Sequence, residues 1–252
     1  MTALQSGRGI IDWQKLGCWG VHFYTALGAV LGLGALLFAA NYQARQAFMA
    51  LALSTAIDST DGFAARALGV STRLPGFDGA LLDNIVDYLT YVAAPAFLML
   101  RFGLLPVGAE GLAAAGFLMV ASAYGFCRRN AKTPDNYFLG FPSYWNVTAL
   151  YMFCLKAGAF ANALAVVVLA LMVFLPLKFI YPSRTAALRR VTLVLGSVWG
   201  LLILLLLFEL PSPHPSLVYG SLGYVIYYFL ASFALQARSV LVHSRTAASA
   251  AS

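Results

Sequence analysis

With 252 residues, 61% of them hydrophobic and only 10% charged, the chain lies far from the balance of soluble domains, which are about half apolar and about a quarter charged. That composition excludes a soluble enzyme and predicts one all-α integral membrane bundle, with no length left for a separate soluble domain. The net charge of +7 would suggest nucleic acid in a soluble protein; here it reads as orientation and attraction to anionic membrane lipids, and nucleic-acid binding is not expected.

In chain order, residues 1–19 carry Arg8, Asp12, Lys15 and two tryptophans and are expected to form a cytoplasmic N-terminal segment. The first apolar run is long and lacks a small-residue cleavage site, so it is expected to be an anchor on an intact start rather than a removed signal. Apolar runs then predict eight transmembrane helices near residues 20–41, 46–66, 79–100, 107–127, 142–158, 160–179, 188–208 and 217–236, each about long enough to cross a bilayer. A single broken hairpin could replace the fifth and sixth. Residues 20–236 form one transmembrane catalytic domain in this reading, and 237–252 a cytoplasmic tail whose Ala/Ser end, Ala247 to Ser252, is expected to be disordered.

An even number of spans puts both termini on one side. With that side cytoplasmic, thirteen of the sixteen Lys and Arg residues fall inside and only Arg45, Arg101 and Lys156 outside, a strong positive-inside bias. Cys18, Cys127 and Cys154 are far apart without metal-ligand spacing. They receive no role.

Five of the nine acidic residues lie between Asp58 and Asp87. The pattern there is Asp58-x-x-Asp61-Gly62-x-x-Ala65-Arg66, then Gly79-x-x-x-Asp83-x-x-x-Asp87. On helices, residues three or four apart share a face, so two carboxylate pairs on the facing ends of spans two and three would make a four-aspartate cage at the cytoplasmic surface. Thr72, Pro75 and Gly76 are expected to break the helix between them. Charged groups at membrane depth are costly unless paired, hydrated or metal-bound, and four hard oxygen ligands favour magnesium, manganese or calcium. Two divalent ions would balance the charge and could bind an anionic diphosphate. Small residues at Gly62, Ala65 and Gly79 would leave room for a nucleotide against the helix backbones, and Arg66 would offer a fork of donors to a phosphate.

At these eight positions the chain resembles the CDP-alcohol phosphotransferase family, whose signature D-x-x-D-G-x-x-A-R, then G-x-x-x-D-x-x-x-D, is matched throughout. Twelve residues, Ala67 to Asp78, separate Arg66 from Gly79, where most members have eight. That longer gap resembles the choline-using bacterial branch of the family, as do the stretches Leu82 to Tyr88 and Gly140 to Asn146 and the eight-span count. The resemblance implies that an alcohol hydroxyl attacks the lipid-side phosphorus of CDP-diacylglycerol and that CMP departs. It further implies that Asp58, Asp61 and Asp83 hold two Mn2+ or Mg2+ ions, with Asp87 as general base beside them. Asp58, Gly62, Ala65, Arg66 and Gly79 would line the CDP site, joined by His22 and Thr25, where many members have an asparagine and a threonine. A homodimer in a bacterial inner membrane, with the active site facing the cytoplasm, is expected on the same ground.

Choline presents a quaternary ammonium that proteins commonly hold against aromatic faces. Tyr88, Tyr137, Phe141, Tyr144 and Trp145, with Asn146, are the candidates, although interfacial belts also use Tyr and Trp whatever the substrate. Arg128, Arg129 and Lys132 could instead clamp the phosphate or carboxylate of an acceptor such as glycerol phosphate or serine, or simply orient the chain; inositol is a further alternative alcohol. A membrane prenyltransferase would place its two acidic clusters in distant helices. A transporter with an acidic ion site would leave the Gly-x-x-Ala-Arg pattern unexplained.

Overall fold

Apolar runs become helices in lipid because their N–H and C=O groups find no water there and must bond one another. The computed structural model describes residues 12–182 and 184–250; Arg8, Ala251, Ser252 and the side chains of Arg238 and Arg245 lie outside the described residues. Helix α1 (Trp13–Ala40) starts earlier than expected because the Asp12 carboxylate caps it, accepting from the amides of Gln14 and Lys15. It runs beside α2 (Ala44–Ala67) and against the third span. That contact is close: a Cβ on Gly28 would meet Val86 at 2.6 Å and one on Gly32 would meet Leu89 at 2.9 Å.

The third span is one helix in the sequence reading but three pieces in the structure: α4 (Gly79–Asp87), a π-helical turn (Tyr88–Ala93) and α5 (Ala94–Arg101). Pro95, near the start of α5, is the cause. It lacks an N–H, and its ring crowds the carbonyl four residues back, Tyr91, so the preceding turn opens wide. The connection from α2 also differs from expectation. Gly69 stops α2 at φ +60°, a single turn α3 (Val70–Arg73) follows, and Asp78 caps α4 through the Leu81 amide.

Helix α6 (Ala109–Cys127) lies beside α8 (Ala159–Phe174), and α9 (Arg189–Glu209) beside α10 (Pro215–Ala250). The α10 helix continues through the tail as far as Ala250, because a helix already nucleated extends readily into alanine-rich sequence. Among the described residues, four helices, α1, α6, α9 and Pro215–Ala237 of α10, are long and apolar enough to cross a membrane on their own. The chain is thus an integral membrane helical protein. Charges thin the apolar character of α2, and the π turn divides the third span.

Helix α7 (Trp145–Leu155) is too short to cross on its own, its eleven residues spanning about 16 Å. The stretch before it is extended instead. A small antiparallel pair, which the all-helical reading did not anticipate, joins β1 (Tyr137–Leu139) to β2 (Lys178–Ile180), with Phe138 opposite Phe179. Pro142 delays α7, and Pro176 follows the end of α8. Irregular backbone packed inside a helical bundle survives only with its buried polar groups satisfied. Gly140 N donates to Leu177 O (2.8 Å) and Phe141 N to Met172 O (3.1 Å). One face of α10 serves β2: Tyr228 Oη donates to Ile180 O, Ser232 Oγ accepts from Ile180 N and Gln236 Oε1 from Lys178 N.

The main core gathers Phe48 and Leu51 of α2, Val92 of the π turn, Leu98 and Met99 of α5, Leu118 of α6, Trp145 of α7, Phe179 of β2 and Leu206 of α9. At the end remote from α3, Arg45 donates to Leu210 O, and Arg101 donates to Ala40 O while stacking 3.7 Å over the Tyr42 ring. These cations cap carbonyls that the helix ends leave unpaired. The carboxylates lie toward the opposite end.

Candidate active site

The last turns of α2 and the length of α4 bring three carboxylates together. One oxygen from each of Asp58, Asp83 and Asp87 lies within 4.8 Å of the others. Asp61 points aside: it is buried, and its Oδ2 accepts a 2.7 Å hydrogen bond from Thr25 Oγ1 of α1. Its charge nevertheless acts on the other three. The expected cage of four is therefore three converging side chains plus a fourth held alongside by a threonine.

Like charges this close repel unless a cation joins them. Among the described residues, the ion pairs are Lys15 with Asp12 and Lys178 with Asp135, so no basic side chain neutralises the cluster by direct contact. Hard oxygen donors that converge without a counter-charge in contact fit a divalent cation. Asp58, Asp83 and Asp87 could hold one directly, with Asp61 adjacent.

The nucleotide-side residues are arranged differently from the sequence expectation. A Cβ on Gly79 would lie 2.6 Å from Cε1 of His22, so the missing side chain makes room for that imidazole. His22 is 7% exposed, its ring centroid is 4.4 Å from that of Phe77, and its Nε2 has no hydrogen-bond partner in the structure. A Cβ on Gly62 would meet Arg66 Nη1 at 3.2 Å. The exposed Arg66 thus folds back along α2 over Gly62, where a flexible chain end could yield. Ala65 packs with Cys18, Val21 and Val70 in a small second core.

The aromatic candidates divide. Phe141 and Trp145 belong to the core: Trp145 is 0% exposed, and its Nε1 donates to Ser122 Oγ at 2.7 Å. Their position in the core removes their faces from solvent in this structure. Tyr137 sits in β1 with Lys178 Nζ 5.4 Å from its ring. Tyr88 donates to Met119 O (3.0 Å). Tyr144, half-buried, is 6.2 Å from the ring of Tyr91, whose hydroxyl donates to Asp58 Oδ2 at 2.7 Å. Asn146 Nδ2 donates to Thr55 Oγ1 (2.9 Å), three residues before Asp58.

Tyr91 was missed by the sequence reading. Its spacing of four from Asp87 was a usable signal, obscured because tyrosines are frequent throughout the chain. Of the basic loop, Arg128 is taken up by Leu139 O, Val173 O and Asn130 Oδ1, whereas the charge of exposed Lys132 reaches the aspartate cluster.

Fold and site together define a helical membrane protein in which three carboxylates converge. Residues 22–198 match the CDP-alcohol phosphatidyltransferase family, and the chain belongs to it. Over 227 residues it is 38% identical to the phosphatidylcholine synthase of Legionella pneumophila, covering 87% of this chain and 89% of that one. The phosphatidylcholine synthase of Pseudomonas aeruginosa is 38% identical over 205 residues (81% and 86%), and that of Rhizobium meliloti 33% over 230 residues (90% and 93%). The chain is a phosphatidyltransferase of a family that uses CDP-diacylglycerol, an alcohol and divalent metals.

Proposed function

We propose that this enzyme transfers the phosphatidyl group of CDP-diacylglycerol to choline, forming phosphatidylcholine and CMP. The observation that carries the reading is the convergence of Asp58, Asp83 and Asp87 without a direct ion pair among the described residues, in a chain whose relatives are named phosphatidylcholine synthases. Asp58, Asp61, Asp83 and Asp87 would hold divalent ions, Mn2+ or Mg2+ and two in number, and these supply charge neutralisation of the diphosphate and polarisation of its phosphorus.

The chain's own residues do the rest. Asp87 accepts the choline hydroxyl proton as the choline oxygen bonds to the lipid-side phosphorus. The bond from that phosphorus to the bridging oxygen breaks, CMP keeps the oxygen, and Asp87 later passes the proton to water. Arg66 unfolds from Gly62 to grip a phosphate. His22 offers its unpartnered Nε2 to the nucleotide beside Gly79, Ala65 leaves room on α2, and Thr25 orients Asp61. Choline's ammonium rests on the aromatic faces nearest the carboxylates, above all Tyr144, with Tyr88 and Tyr137 toward the entrance.

Residues 20–236 form the catalytic unit, made of eight spans, with both termini and the site on the cytoplasmic side of a bacterial inner membrane as a homodimer. The test is CMP release by purified protein given CDP-diacylglycerol, Mn2+ and one acceptor at a time. Release with choline alone is expected; release with serine, inositol or glycerol phosphate in its place overturns the acceptor.

A further inference from the structure

The reach of Tyr91 into the carboxylate cluster is unexplained by packing alone. Tyr91 rises from the π turn, is 7% exposed, and places its hydroxyl 2.7 Å from Asp58 Oδ2. A phenol donating to a carboxylate at that distance makes a charge-assisted hydrogen bond. Without it, Asp58 faces Asp83 and Asp87 across less than 4.8 Å, and like-charge repulsion favours rotation of its side chain away from them. The donor occupies one oxygen of Asp58 and leaves the other free to face a cation. Asn146 and Thr55 brace the same stretch of α2 from the α7 side.

We propose that Tyr91 is a positioning residue for divalent-cation binding: its hydroxyl holds the Asp58 carboxylate in the orientation that a metal requires. The inference rests on the metal reading given under the proposed function. Hydrogen-bond partners of ligating carboxylates typically change metal affinity by about 10–100-fold when removed.

Mn2+ binding is measured by calorimetry on full-length protein in lipid nanodiscs, without substrate, for the wild type, Tyr91→Phe, Asp58→Asn and the double variant. Tyr91→Phe is expected to weaken Mn2+ binding about 10–100-fold, and to raise the Mn2+ concentration for half-maximal CMP release by a similar factor. At saturating Mn2+ its turnover returns to within a few-fold of wild type. In the Asp58→Asn background the Tyr91 change adds nothing, because the hydroxyl acts only through Asp58.

Unchanged Mn2+ affinity in Tyr91→Phe overturns the proposal, as does an equal further loss in the double variant. Unfolding temperatures taken in EDTA are expected to match between wild type and Tyr91→Phe; a large drop there makes the hydroxyl a stabilising group and overturns the positioning role. Failure of the wild type itself to bind Mn2+, with or without CDP-diacylglycerol, sinks the underlying metal reading and is thereby distinguishable from failure of Tyr91.

Discussion

Gly79→Ala tests whether a signature glycine serves the protein or its substrate. The added Cβ would sit 2.6 Å from His22 Cε1 and 3.2 Å from Nδ1, against an ordinary carbon contact of about 3.5–4.0 Å. The imidazole must therefore retreat by about 1 Å. It has little room, since Phe77 and Trp19 flank it at 4.4 and 5.8 Å and the residue is 7% exposed. Overpacking of this kind costs about 1–3 kcal/mol, and the helix propensity gained by alanine is small at the first residue of α4. In a His22→Ala background the clash disappears, so the same substitution becomes nearly neutral and the coupling between the two sites is about 1–3 kcal/mol. The assay is denaturant unfolding in mixed micelles of the wild type, both single variants and the double variant. Additive effects, or a neutral Gly79→Ala on its own, would refute the steric reasoning. If the double variant recovers stability but not CMP release, either the glycine's space or the His22 ring also serves the nucleotide.

Asp87→Asn is expected to abolish CMP release while leaving the unfolding temperature in EDTA unchanged or raised, because a like charge leaves a repulsive cluster; substantial turnover in this variant removes Asp87 as the base. Gly140→Ala combines a φ of +86° with a Cβ 2.3 Å from Val173 O and should cost about 3 kcal/mol or more, seen as a lower unfolding temperature. In the loop beside β1, partial burial tends to raise the pKa of Asp135, but hydrogen bonds from Lys178 and Thr133 outweigh it and hold the carboxyl below its usual 3.8. A depressed carboxyl stabilises the fold above that value and loses the contribution as pH falls through its folded pKa. The stability difference between wild type and Asp135→Asn should therefore be full near neutral pH and fade below 3.8; a difference that grows on acidification contradicts the pairing.

Helices were legible because apolar length dictates them, and the aspartates because charge is rare in such sequence. The 137–144 stretch was not, since its aromatic residues suit an interfacial belt, a buried core or a short strand equally well. Trp145 shows the ambiguity: composition suggested a face for choline, whereas Ser122 and the packing around Phe141 and Phe179 make it core. Asp61 shows a second limit. Helical spacing put it on a face with Asp58, but only tertiary contact with Thr25 decided where its carboxylate turns. The π turn had a local signal in Pro95, yet a proline alone does not distinguish a kink from a widened turn.

The most direct test of the account is anomalous diffraction from crystals of the full-length protein grown with Mn2+ and CDP-diacylglycerol. Peaks bounded by Asp58, Asp83 and Asp87, with Asp61 alongside, are the expected result. A map with no anomalous peak there, or with those side chains turned apart around the bound nucleotide, would contradict it.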